Sequence, residues 1–115
     1  MRFMLSETDR DALEDIRDNI ARVMRFVDGF DLDAFLADDK TFYSATRCLE
    51  IISEASRRLS SAFKARFPEI PWKDVAGSGN IYRHSYENVQ ERRIWATIHE
   101  ALPPLRAVAE AELRE

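Results

Sequence analysis

A chain of 115 residues, 45% hydrophobic and 33% charged, has the size and composition of one globular domain, so we assign residues 1–115 to a single domain. Three glycines and four prolines leave little room for the turns of a β-rich fold and favour helices. The net charge of −4 argues against indiscriminate binding to duplex DNA, which depends on many phosphate contacts from Lys and Arg.

The first helix is predicted from Ser6 to Asp28. Asp9 follows Ser6 by three residues, close to a capping box, and Gly29 provides a C-terminal stop. The apolar residues of this stretch recur every three or four positions: Leu13, Ile16, Ile20, Val23 and Val27. Such spacing predicts a stripe that faces the core.

A second, longer helix is predicted after a short link that contains one helical turn near Phe35. It begins at Asp38 or Asp39 and extends for nearly thirty residues, because Pro68 removes a backbone donor and disfavours helical geometry just before it. Its apolar stripe is Phe42, Ala45, Leu49, Ile52, Leu59 and Phe63. A helix of this length is typical of a bundle.

The segment 68–89 differs in composition from the rest of the chain. A short helix is predicted near Pro71, and the small residues Ala76–Gly79 then permit either a break or a close approach between helices. Helical periodicity resumes from Gln90, with Pro103–Pro104 predicted to kink or split the last helix. Together these elements predict an all-α fold, an up-and-down bundle of four to five helices.

Polar and aromatic side chains are concentrated in Asn80–Tyr86, which reads NIYRHSY. An amide, a guanidinium, an imidazole and two phenols in seven residues suit a site that grips a planar or anionic ligand, although an ordinary polar loop has the same composition. His99, near a predicted helix end, is interpreted as structural. The cluster Arg57–Arg58 with Lys64 and Arg66 is interpreted as a solvated helix face.

Other site types find little support in the sequence. Cys48 is a lone cysteine in an apolar pattern and is predicted to be buried, and no His, Cys, Asp or Glu set has metal-ligand spacing. Gly77–Gly79 lacks the lysine of a P-loop. We therefore expect no metal and no cofactor. We also expect no membrane span and no signal peptide, and hence a cytoplasmic protein.

The chain resembles the HepT-like branch of the HEPN superfamily. The resemblance lies in an ordered set of short pieces: Cys48–Ala55, Pro68–Trp72, Ala76–Gly77, Asn80–Tyr86, Ile94–Trp95 and Leu102–Leu105. It implies a HEPN-like helical homodimer with RNA as substrate. It also implies an MntA-like nucleotidyltransferase antitoxin as partner of a ribonuclease toxin.

The resemblance implies Asn80, His84 and Tyr86 as residues of the catalytic set, to which we add Arg83 because it directly precedes His84. In the family, an arginine precedes the asparagine and holds the phosphate, while the histidine moves protons in metal-independent RNA cleavage. The arginine position falls on Gly79, which leaves enzyme status open. Arg83 could replace that contact, or could instead form a salt bridge with Glu87.

Tyr86 corresponds to the tyrosine to which the family's antitoxin adds AMP, although a phenol that anchors helix packing is the alternative. Two alternatives to an active toxin also remain. One is a non-catalytic HEPN module that binds a nucleotidyltransferase or a nucleotide, its motif having decayed at Gly79. The other is a plain dimeric scaffold.

Overall fold

A computed structural model describes residues 3–79 and 89–114 and shows an all-α bundle, as the sequence predicts. The elements in chain order are α1 (Glu7–Val27), α2 (Leu32–Leu36), α3 (Asp39–Arg58), α4 (Ser61–Ala65), α5 (Trp72–Gly77), α6 (Val89–Ala96), a π-helical turn (Thr97–Ala101) and α7 (Leu102–Leu113). Within the described residues, no helix is both long and apolar enough to cross a membrane.

The limits of α1 confirm the prediction, because local signals at both ends determine them. The Ser6 hydroxyl accepts a hydrogen bond from the Asp9 amide at 3.0 Å and so caps the first turn. At the other end Gly29 has a φ of +80°, a left-handed conformation that glycine adopts without strain. The chain then turns into α2, which Asp31 caps in the same manner.

The prediction of one long helix to Phe67 is wrong. The helix is interrupted at Leu59–Ser60, so that α3 ends at Arg58 and a separate helix, α4, begins at Ser61. The Ser60 hydroxyl accepts from the Phe63 amide at 3.1 Å and starts α4. The Ser60 amide and hydroxyl both donate to the Asp9 carboxylate at 2.7 Å. Asp9 is only 2% exposed, so α1 supplies the buried acceptor that makes the break favourable.

The core lies between α1, α3 and α7, since α1 packs against both of the others. The predicted stripe of α1 is buried, and in the second predicted stripe only Phe42 is partly exposed. The apolar residues Ile94, Ile98, Leu102, Leu105 and Ala109 of the last third are also buried. Cys48 is buried as predicted, and burial raises the pKa of its thiol, with Arg22 opposing the shift. A neutral, buried thiol is poorly placed to react.

The split predicted at Pro103–Pro104 is also found. A π-helical turn separates α6 from α7, and the prolines lie in the first turn of α7, where their missing amide hydrogens matter least. His99 lies in the π-helical turn, where its Nδ1 is 2.8 Å from the Trp95 carbonyl and its ring stacks on the Trp95 indole at 4.1 Å. These contacts support the structural interpretation of His99.

Candidate functional site

The predicted site residues Asn80, Arg83, His84 and Tyr86 all lie outside the described residues, as does Glu87. The structure describes what flanks this segment on either side. Gly79 leads into it from α5, and Val89 opens α6 immediately after it. The described part of the candidate site therefore consists of the surfaces around Gly79 and around the start of α6.

Gly79 packs directly on α3, and this contact explains its identity. A Cβ built at position 79 would lie 2.9 Å from the Glu50 Cα, a separation that real Cβ atoms essentially never show, and 3.0 Å from the Ser53 Cβ, which is also a tight contact. Gly77, two residues earlier, has nothing within 4 Å of such an atom. The close helix approach predicted from the small residues is thus made at Gly79, where an arginine would collide with the α3 backbone.

A polar cluster lies beneath Gly79, made of Ser53, Arg57 and the Ala76 carbonyl. Ser53 is fully buried, and its hydroxyl donates to the Ala76 carbonyl near the C-terminus of α5. The Arg57 guanidinium donates to the Ser53 hydroxyl at 3.1 Å and 3.3 Å, and reaches the Ala76 carbonyl at 3.4 Å. The cluster satisfies a carbonyl at the end of α5 and fixes that end to α3.

The solvated-face interpretation of the first arginine cluster holds for part of it. Arg58 pairs with Asp15 at 2.6 Å and Arg66 pairs with Glu112 at 2.7 Å, both as partly exposed ion pairs. Arg57 differs, because no carboxylate of the described residues lies within ion-pair distance of it. The sequence did not distinguish Arg57 from Arg58. The feature that could have done so is Ser53, a small polar residue one helical turn before Arg57.

A cavity of about 380 Å³ lies on the other side of α5, between that helix and the π-helical turn. Its lining is Pro71, Lys73, Asp74, Gly77 and Ser78 from the α5 side, and Arg93, Ala96, Thr97, Glu100 and Ala101 from the other. Two cationic and two anionic side chains line it, so it carries no strong charge of either sign. Ser78 places it next to the start of residues 80–88.

No group of three or more His, Cys, Asp or Glu side chains could hold a metal ion within residues 3–79 and 89–114. The described surfaces instead present arginine and lysine side chains and hydrogen-bond donors. Arg57 lies on the α3 side of α5, and Lys73 and Arg93 lie on the cavity side. On the cavity side Asp74 and Glu100 offset Lys73 and Arg93, whereas Arg57 has no carboxylate within ion-pair distance among residues 3–79 and 89–114.

Residues 16–112 match the family model described as Ribonuclease HepT-like. The chain is 36% identical over 102 residues to a protein of Thermococcus cleftensis named probable ribonuclease HepT, covering 89% of this chain and 93% of that one. It is 33% identical over 98 residues to a candidate RNase of Methanocaldococcus jannaschii, covering 85% and 90%. No solved structure matches the chain.

Proposed function

The chain belongs to the HepT-like ribonuclease family, and from this membership we propose that it is a metal-independent RNA endonuclease, the toxin of a toxin–antitoxin pair. The observation that carries the proposal is the match over residues 16–112, which includes the polar segment Asn80–Tyr86 and the helices on both sides of it. A single-domain, cytoplasmic protein is part of the same proposal.

The proposed reaction is attack of a ribose 2′-hydroxyl on the adjacent phosphate. A bond forms between the 2′-oxygen and phosphorus while the bond from phosphorus to the 5′-oxygen of the next nucleotide breaks. The proton leaves the 2′-hydroxyl and a proton reaches the departing 5′-oxygen, which gives a cyclic phosphate and a free 5′-hydroxyl. Histidine suits both transfers because its ordinary pKa lies near neutrality.

His84 is the proposed proton-transfer residue, with Asn80 and Tyr86 as neighbouring donors to the substrate. The negative charge that builds on the phosphate also needs a cation. Since Gly79 packs on α3 without room for a side chain, that cation must come from another position. Arg83 is the candidate within the segment itself.

Dimerisation is the second part of the proposal, since two Asn80–Tyr86 segments that share one cleft would each supply cations to the other. Light scattering of the purified protein should give twice the 13.4 kDa chain mass at micromolar concentration. A monomer that cleaves RNA at full rate would rule out a shared cleft.

Tyr86 is the proposed point of control by an MntA-like nucleotidyltransferase antitoxin. The phenol would lose its proton and its oxygen would attack the α-phosphorus of ATP; the bond from that phosphorus to the β-phosphate oxygen breaks, pyrophosphate leaves and AMP remains on the tyrosine. A bulky anion two residues from His84 would repel the RNA phosphate and block its approach.

The direct test is cleavage of total cellular RNA by the purified protein in EDTA, together with growth inhibition on expression. We expect the wild-type protein to be active in both assays. We expect His84→Ala to lose both activities while its thermal unfolding stays unchanged. A wild-type protein that is inert in both assays would refute the proposal.

A second candidate function is a non-catalytic HEPN module that binds a nucleotidyltransferase or a nucleotide. The observation that favours it is the tight packing of Gly79, which removes the family's phosphate-binding arginine from its usual position. An inert protein that still forms a stable complex with a nucleotidyltransferase would support this candidate.

A further inference from the structure

We infer that Arg57 contacts the scissile phosphate and supplies the cation that Gly79 cannot. The inference rests on the proposed ribonuclease function and deepens it by assigning a residue of α3, distant in sequence from the motif, to substrate binding. The observations behind it come from the described residues Ser53, Arg57, Ala76 and Gly79, whereas the place of the scissile phosphate follows from the proposed role of His84.

Arg57 lies close to Gly79. Gly79 and Arg57 contact the same side chain, because a Cβ at residue 79 would lie 3.3 Å from the Ser53 hydroxyl and an Arg57 nitrogen lies 3.1 Å from it. These two distances place the guanidinium no farther than about one arginine side-chain length from the position where the family motif would carry its own arginine. Asn80, the first residue of the motif segment, is bonded directly to Gly79.

The Arg57 guanidinium is anchored by a buried hydroxyl. Ser53 is fully buried and its hydroxyl is itself fixed by donating to the Ala76 carbonyl. Arg57 is therefore held from its inner side, which reduces the entropy that an exposed arginine loses on binding a ligand. A guanidinium has five N–H donors, and the contacts with Ser53 and Ala76 leave donors for a phosphate.

The charge of Arg57 differs from that of its neighbours in having no described ion-pair partner. The carboxylates on the preceding turns of α3 are paired with other arginines, Glu50 with Arg47 at 3.5 Å and Glu54 with Arg58 at 3.7 Å. Arg57 has no such partner among residues 3–79 and 89–114. Arg57 is an exposed residue whose charge no described carboxylate compensates, whereas the charge of Arg58 is compensated by Asp15 and Glu54.

The adjacent arginines provide a matched pair of variants. Arg57→Gln and Arg58→Gln each remove one positive charge from the same end of α3. In cleavage of RNA under single-turnover conditions in EDTA, we expect Arg57→Gln to be about ten- to a hundredfold slower than wild type. Arg58→Gln should stay within about threefold of wild type, and Arg57→Lys should recover part of the rate because it restores the charge.

A second measurement separates phosphate binding from a purely structural tether. Binding to poly(U) is followed against salt concentration in the His84→Ala background, where the RNA stays intact. Adding Arg57→Gln should reduce the slope of log K against log[salt] by about 0.7, the contribution of one contact with single-stranded RNA. Adding Arg58→Gln should leave that slope unchanged.

The outcomes distinguish the two proposals. If the wild-type chain does not cleave RNA, the ribonuclease proposal fails, and the salt slope still decides whether Arg57 binds phosphate. If the wild-type chain cleaves RNA but Arg57→Gln matches Arg58→Gln in rate and slope, the Arg57 inference is overturned. It is equally overturned if Arg57→Gln loses activity only in proportion to its unfolded fraction, or if poly(U) does not bind.

Discussion

Two serine-centred polar clusters join neighbouring helices in this bundle, and they differ in what they leave exposed. At the break between α3 and α4, Ser60 donates twice to Asp9 of α1, a carboxylate that is only 2% exposed. Below Gly79, buried Ser53 donates to the Ala76 carbonyl but also accepts from Arg57, which is an exposed residue.

The difference separates a stabilising contact from a functional one. In the Asp9–Ser60 cluster the buried Asp9 carboxylate is satisfied by the partly buried amide and hydroxyl of Ser60, so its removal acts on folding. In the Ser53–Arg57 cluster the buried hydroxyl holds a charge that faces outward, beside the segment that carries His84. Removal of the Arg57 charge should therefore weaken ligand binding more than it destabilises the fold.

The largest expected effect on stability comes from Asp9→Ala. This substitution removes both acceptors of Ser60 and leaves its amide unsatisfied, so the free energy of unfolding should fall by about 2–4 kcal/mol. Urea denaturation measures the change. Asp11→Ala, an exposed position on the same helix, is the control and should cost only a few tenths of a kcal/mol. Equal losses for the two variants would show that the cluster contributes little.

A smaller effect is expected from Gly79→Ala, because its methyl group would meet the Glu50 Cα at 2.9 Å. The free energy of unfolding should fall by about 1–3 kcal/mol, the usual cost of overpacking. Gly77→Ala is the matched control, since its methyl group meets nothing within 4 Å and alanine favours the helix. A Gly79→Ala variant as stable as Gly77→Ala would show that the contact with α3 does not exclude a Cβ at position 79.

The sequence predicted those parts of the fold that depend on local signals. The ends of α1 follow from Ser6 and Gly29, and the core stripes follow from apolar spacing. The break before α4 was missed, because it depends on Asp9, 51 residues away in sequence, while the buried residues on both sides of the break keep helical spacing.

The candidate site was predicted only in part, for the same physical reason. The resemblance to a family indicated Asn80–Tyr86 and the absence of arginine at Gly79, but residues 80–88 lie outside the described structure, so the roles of the motif residues remain predictions. The small residues at 76–79 predicted a close helix approach or a break, but the partner helix and the anchoring of Arg57 at the Ala76 carbonyl are tertiary contacts that the sequence did not predict.

One paired measurement tests the contrast between the clusters most directly: the RNA cleavage rate per folded molecule and the free energy of unfolding, for Asp9→Ala and Arg57→Gln together. We predict that Asp9→Ala loses stability but, at a temperature where it is folded, keeps its cleavage rate. Arg57→Gln should lose about ten- to a hundredfold in rate with little change in stability. Parallel losses of rate and stability in both variants would contradict the account.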